Sequence, residues 1–461
     1  MAGNQLPPSQ LTWIGSDRRL ARSVARPVRN FMEIEAASGI VLVIATIAAL
    51  VWANSPWSDV YHDILDIHLE INFGSLHILD ESVEHLINDG LMAIFFFVVG
   101  LEIKRELVAG ELRDPRAAAL PSIAAIGGMV VPALLYFALN SSGPEAQGWG
   151  IPMATDIAFA LGVMSLLGNR APTQLKLFLL ALAIVDDVGA IAVIAIFYTD
   201  EINLMWFITA IVLLAIIFGM QKAKIWYTPV YAVIGVVVWY AVLESGVHAT
   251  IAGVALGLLT PATPLQREVD PGDIVGTVVD PEDLNAATAR RANLYVRESV
   301  SVAERLETLI HPFTSFVILP LFALANAGIS LSGDAIADAS TSTVTLGIIL
   351  GLVVGKTAGV TLFTFIAVKS GISNLPRNCT WPQVVAVAML AGIGFTVALF
   401  ITGLAFDGEE LQVFDTQARM GILIASLIAS IVGVILLARS TRPTIPDVPE
   451  QAPSPELLEV S

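Results

Sequence analysis

The sequence predicts an all-α polytopic membrane protein of about 12 transmembrane helices, with inverted repeats (helices 3–5 and 10–12), two discontinuous helices (4 and 11) and a small external β-hairpin. Three observations predict it. Of the 461 residues, 55% are hydrophobic and only 14% charged, against roughly 25% charged in an ordinary soluble domain. The apolar residues gather into about a dozen blocks, most near the 20 residues or so that a bilayer-crossing helix needs. The basic residues alternate between the gaps separating those blocks. This make-up excludes a disordered chain, an ordinary soluble enzyme and a disulfide scaffold, since Cys379 is the one cysteine. A net charge of -17 argues against nucleic acid as a partner.

In chain order the expected spans are 36–53, 86–103, 117–139, 150–167, 177–199, 204–220, 225–243, 246–260, 312–329, 343–368, 382–405 and 418–437. Of the 24 Lys and Arg, 22 fall before the first span or after an even-numbered one. Only Arg419 falls on the opposite face, and Lys356 lies inside a span. The positive-inside rule then puts both termini in the cytoplasm. One domain, 31–439, is expected between a polar, Arg-rich tail (1–30) and a disordered cytoplasmic tail (440–461). The first apolar block is long enough to stay in the bilayer rather than act as a cleaved leader. Within the acidic external stretch 54–85, alternation around Asn72, Phe73, Gly74 and Ser75 predicts a hairpin at about 64–82. A lone hairpin is marginal in water, so it is expected to pack on something, a second protomer being one candidate. A long cytoplasmic loop covers about 261–311. Its second part reads as helical, with Val302, Leu306 and Leu309 on one face.

Charges placed in lipid carry the functional signal. Asp156 lies in the fourth span, Asp186 and Asp187 in the middle of the fifth, and Lys356 in the middle of the tenth. Each costs about 2.5–3.5 kcal/mol to insert, on the order of 10 kcal/mol together. They must therefore pair or line a wet cavity, and either arrangement points to a function. Neighbours on a helix project about 100° apart. One of Asp186 and Asp187 can then pair with a cation on another helix while the other faces a cavity. Two close carboxyls titrate as a coupled pair, and an ionised carboxylate is also a hard oxygen ligand for a hard cation. One oxygen cannot hold a proton and a cation strongly together, and such competition gives exchange. Thr155 adds a hydroxyl beside Asp156.

Interrupted helices are the second signal. The eleventh span carries Gly392, Gly394 and Thr396 at mid-depth, and the fourth opens with Pro152 and carries Thr155 and Asp156. Breaks in matching places of two halves point to a midplane ion site between inverted repeats. Asp156 would offset the positive half-helix ends there, and Lys356 the negative ones. Plainer readings stand beside these: Asp156 as a mere neutraliser, Lys356 as a structural partner of Asp186. Gly347, Gly351, Gly355 and Gly359 recur every four residues, as a helix-packing face does. Gly355-Lys356-Thr357 is not a phosphate loop, because that motif needs Gly where Leu350 stands.

Ala154-Thr155-Asp156-Ile157-Ala158-Phe159-Ala160-Leu161-Gly162 resembles the fourth helix of NhaA-type sodium/proton antiporters. Leu182-Ala183-Ile184-Val185-Asp186-Asp187-Val188-Gly189-Ala190-Ile191 is similar to the fifth, and Asn88-Asp89-Gly90 with Gly100-Leu101-Glu102-Ile103-Lys104-Arg105-Glu106-Leu107 to the second. Gly246-Val247-His248-Ala249-Thr250, His311-Pro312, Ala325-Asn326-Ala327-Gly328 and Gly355-Lys356 continue the match, which runs from about Phe31 to about Ala438. This family is itself a type case of inverted repeats, so the repeat expectation and the resemblance are one argument rather than two.

The resemblance implies an electrogenic exchanger of the cell (inner) membrane that expels sodium or lithium and takes up more protons. It needs no cofactor. Asp187 and Asp186 would hold the sodium ion or protons, with Asp156, Thr155 and Lys356 balancing the crossed half-helices. Glu102, Glu106, His248, Glu307 and His311 would be candidates for the pH response, and the external hairpin would join a homodimer. Glu304 stands where a basic residue is expected in that cluster, and the 261–300 loop is longer than the compact pattern. Glu102 and Glu106 also suit a solvated helix end, and His248 a packed histidine. Two other functions compete with this one. A sodium-coupled symporter on a similar scaffold would show no net proton counterflow against sodium. An intramembrane aspartyl protease needs aspartates on two helices and a Gly-x-Gly-Asp motif, which the sequence lacks.

Overall fold

The computed structural model describes residues 36–73, 76–199, 202–223, 225, 228–264, a few positions between 285 and 297, and 299–441. The expected tail 1–30, most of the 261–300 loop and the last twenty residues lie outside the described residues.

The chain is mostly helical. Its elements are α1 (Ala37–Ala53), α2 (Ser58–Leu65), β1 (His68–Phe73), β2 (Leu76–Ser82), α3 (Val83–Val108), α4 (Pro115–Leu139), α5 (Ile157–Ser165), α6 (Thr173–Phe197), α7 (Leu204–Lys222), α8 (Thr228–Leu243), α9 (Thr250–Leu259), α10 (Val302–Asn326), α11 (Gly333–Thr341), α12 (Thr343–Lys369), α13 (Trp381–Leu390), α14 (Phe395–Ala405) and α15 (Gln412–Ser440). Among the described residues, seven helices are long and apolar enough to cross a membrane, or up to nine if two bent pairs each count as one. The sequence led us to expect about twelve. The difference lies in apolar blocks that do not form one long helix. The fourth block is a 3₁₀ segment (Pro144–Met153), an extended stretch and the nine-residue α5. The eighth gives the ten-residue α9. The eleventh gives α13 and α14, which meet at 46°. The ninth begins early, at Val302, so Glu307 and His311 sit within α10.

Local chemistry sets these boundaries. Asp114 caps α4, taking the amide of Arg116, with Pro115 in the first turn where a missing N–H costs nothing. Ser301 caps α10 through the Glu304 amide. Thr380 and Gln383 form a capping box at α13. The hairpin is present: β1 and β2 pair antiparallel, with Gly74 and Ser75 outside the described residues. The expected apolar face of α10 is corrected at one position. Leu309 is 74% exposed, and Ala303 and Glu307 are the buried residues of that turn.

Two bundles pack together. In the first, α3 lies along α9 and α10, α10 carries α1, and α7 and α8 close the outside. In the second, α4 lies along α12 and α6, while α13, α14 and α15 pack around α12 and the 3₁₀ segment. The glycines of α12 form the packing face expected of them. Gly351 faces Pro132 and Pro152, Gly355 faces Pro132 and Leu135, and Gly359 lies on the Gly127 carbonyl of α4. A Cβ at Gly359 would collide with that carbonyl, whereas one at Gly219 of α7 would meet nothing within 4 Å. Gly359→Ala is therefore expected to destabilise the protein by about 1–3 kcal/mol. Gly219→Ala should be neutral or stabilise by up to about 1 kcal/mol through helix propensity. Thermal unfolding of both variants in detergent checks this, and equal midpoints would refute the close contact. α7 is the most exposed long helix, with 11% of its apolar window buried, against 56% for α6.

Candidate functional site

Asp156 joins the two breaks. It caps α5, accepting the Phe159 amide at 2.9 Å through Oδ1. Through Oδ2 it accepts the Thr396 amide (3.0 Å) and hydroxyl (2.6 Å) at the start of α14. Its own amide donates to the Ile393 carbonyl at 2.7 Å. One carboxylate thus satisfies donors at two helix N-termini, where the exposed N–H groups favour an anion. The Thr155 hydroxyl donates to the Ala391 carbonyl at 2.8 Å, so it serves the α13–α14 break directly.

Lys356 and Asp186 form a fully buried ion pair, Nζ to Oδ2 2.6 Å, and Nζ also donates to the Met153 carbonyl at the end of the 3₁₀ segment. Asp186 Oδ1 is buried without a hydrogen-bond partner among the described residues. A widened π turn, Leu350–Gly355, immediately precedes Lys356. Such turns recur at functional positions because they re-aim the side chains that follow.

Asp187 points elsewhere. It lines a cavity of about 460 Å³ with Glu102 of α3, His311, Thr314 and Ser315 of α10, and Thr155, Asp156 and Thr396 at the breaks. Asp186 is not among the lining residues. That volume holds on the order of ten waters. Thr173, Lys176 and Leu177 at the start of α6 mark its mouth on the face rich in Lys and Arg. Asp187 has no ion-pair or hydrogen-bond partner among the described residues, so a carboxylate facing a wet chamber is left to bind a proton or a hard cation. No group of three or more His, Cys, Asp or Glu among the described residues is arranged as a metal site.

The candidates for the pH response separate. Glu102 and His311 share the cavity with Asp187. Glu307, one turn before His311 on α10, is tied to Arg105 at 2.5 Å, and Arg105 also reaches Glu106 at 3.6 Å. Glu106 itself lines a separate acidic cleft with Gly110 and Asp114. His248 is in neither place. It follows the positive-φ Gly246 and hydrogen-bonds the Tyr198 carbonyl at the end of α6. Sequence reasoning missed Arg105 as a link between α3 and α10, since it stands out there only in the helix-two motif and among the basic residues of one face. It also missed Ser38 and Ser315 on the cavity wall. No periodic pattern marks a hydroxyl that reaches a cavity built from six helices.

The sequence pattern described as Na+/H+ antiporter 1 matches residues 29–437. A Na(+)/H(+) antiporter NhaA 3 of Frankia alni is 45% identical over 414 residues, covering 90% of this chain and 89% of that protein. A Na(+)/H(+) antiporter NhaA 2 of Sorangium cellulosum is 44% identical over 444 residues, covering 94% of each. A Na(+)/H(+) antiporter NhaA of Proteus mirabilis is 44% identical over 411 residues, covering 89% of this chain and 96% of that protein. With a family pattern spanning most of its length and relatives of this closeness end to end, the chain belongs to the Na+/H+ antiporter 1 family, a family of multi-pass membrane transporters.

Proposed function

We propose that this protein is an electrogenic, pH-regulated antiporter that expels sodium or lithium in exchange for protons, using Asp187 as the ion-binding carboxylate. The observation that supports this best is the division of labour between neighbours. Asp186 is tied to Lys356, while Asp187 opens into the cavity. A proton on Asp187 removes the charge that attracts a cation, and a bound cation displaces the proton. Transport in opposite directions follows from that competition. Electrogenic exchange needs more protons than cations per cycle, and the Asp186–Lys356 pair is the natural second place for one. Asp156 and Thr155 hold the two breaks together, and Lys356 neutralises carbonyl ends.

In this reading the chain crosses the inner membrane twelve times with both termini in the cytoplasm. The short and broken helices α1, α5, α8, α9 and α13–α14 complete the crossings, and the fourth and eleventh are discontinuous. Spans three to five and ten to twelve form inverted repeats. The β1–β2 hairpin lies outside and joins a homodimer. Glu102, Glu106, Glu307 and His311 act on the cytoplasmic mouth and tune its response to pH. His248 contributes from the far end of α6, where it packs on Tyr198.

Inverted vesicles holding an acid-inside gradient test the exchange. Adding sodium outside should release protons from the lumen within seconds, and lithium should do the same. Sodium entry without proton release would make the protein a sodium-coupled symporter instead.

A further inference from the structure

The cavity opens toward the arginine-rich face, so something must seal its other side. Three of the wall helices carry a phenylalanine next outward from the cavity, and two of these carry an asparagine beyond it. On α10 the order is Ser315, then Phe322, then Asn326; on α3 it is Glu102, then Phe96, then Asn88; on α14 it is Thr396, then Phe400. The three phenylalanines meet, with Phe400 5.4 Å from Phe96 and 6.4 Å from Phe322 between ring centroids. All three are buried. This apolar layer joins the second bundle, through α14, to the first, through α3 and α10.

Arg419 lies in the outer layer. It comes from α15 of the second bundle, and its side chain is 14% exposed. Asp415, one turn away on the same helix, holds it by Nε at 2.7 and 2.9 Å from its two oxygens. Its remaining nitrogens reach across. Nη1 donates to the Asn326 carbonyl at the end of α10 (2.8 Å), and Nη2 lies 3.9 Å from Glu84 at the start of α3. The receiving side is itself braced. Asn326 and Asn88 exchange side-chain amide contacts (2.8 and 3.4 Å). The Tyr61 hydroxyl of α2 donates to the Leu324 and Ala325 carbonyls (2.7 and 3.0 Å).

We propose that Arg419 is the latch of the outer gate: its contacts to Asn326 and Glu84 hold the two bundles closed over the phenylalanine layer, and the outward-open state requires their release. This inference rests on the transport reading for its purpose, though the closure it describes is measurable without any ion movement. The guanidinium suits the task. Its fixed fork spans a same-helix carboxylate and a cross-bundle carbonyl together, which a lysine ammonium on a flexible stem does less well. The contacts are few and charge-assisted, strong enough to bias a two-state closure and breakable within a cycle.

The test places one reporter thiol below the gate, Ser315→Cys in a Cys379→Ser background of the full chain, in vesicles of known sidedness. A membrane-impermeant maleimide should label Cys-bearing protein readily from the arginine-rich face and slowly from the other. Arg419→Ala should speed labelling from the outer face by about tenfold or more. Arg419→Lys should give an intermediate rate, and labelling from the inner face should not rise. Unchanged outer labelling in Arg419→Ala overturns the latch. Should Arg419→Ala fail to insert, Glu84→Gln decides: faster outer labelling supports the latch and an unchanged rate overturns it. Proton release by the parent reports the exchange separately, so failure of one reading is not mistaken for failure of the other.

Discussion

Replacing Asp187 by Asn is expected to bring sodium-dependent proton release down about a thousandfold, to background, while leaving insertion and folding intact. Asn keeps the shape of Asp but neither ionises nor carries a full charge. A unit charge 4 Å from a monovalent cation contributes about 4 kcal/mol at an effective dielectric of about 20, which is roughly a thousandfold in affinity. No other carboxylate on the cavity wall is free to substitute. Asp156 spends both oxygens on Phe159 and Thr396, and Glu102 reaches the cavity from a different helix, α3, without a neighbouring carboxylate on that helix facing in. Asp187 has no partner among the described residues whose loss would unfold the protein. Its thermal midpoint should therefore stay close to the parent's. Full exchange by purified Asp187→Asn in liposomes would remove it as the essential group.

Lys356→Ala should show the opposite balance. It removes one member of a fully buried ion pair, leaves Asp186 without a counter-charge and strips the Met153 carbonyl of its donor. Breaking such a pair from one side costs about 3–5 kcal/mol. The thermal midpoint of Lys356→Ala should fall well below that of Asp187→Asn. Removing the stranded charge should restore part of the loss, so Lys356→Ala with Asp186→Asn is expected to melt above Lys356→Ala alone, a coupling that a double-mutant cycle measures. Equal melting of Lys356→Ala and Asp187→Asn would argue against a structural pair.

Several parts of this arrangement were legible in residue patterns. Four glycines at every fourth position announced the face on which α12 meets α4, because close backbone approach demands a missing side chain. Adjacent aspartates on one helix had to face different ways, and the structure sends one to a lysine and the other to a cavity. Alternation around Asn72 to Ser75 gave the hairpin. What local patterns could not show is how the breaks are closed. Thr155 reaches a carbonyl 236 residues away, Lys356 one 203 residues away, and Thr396 a carboxylate 240 residues away. A broken helix frees backbone groups, and their partners are chosen by tertiary packing rather than by neighbours in sequence. The same holds for Leu309, whose helical spacing fitted an apolar face that the neighbouring helices do not cover.

The loosely covered α7 has a consequence for how this chain tolerates change. Most of its apolar side chains face away from the rest of the protein, so exchanging Leu for Ile, Val or Phe along 204–222 alters little that another residue can feel. In a mutational library such swaps should survive selection freely, whereas the glycine ladder of α12 should accept almost none. Tolerance to change is thus expected to gather on the thinly covered rim of the bundle, and the crossing of the two breaks to be the part that accepts least.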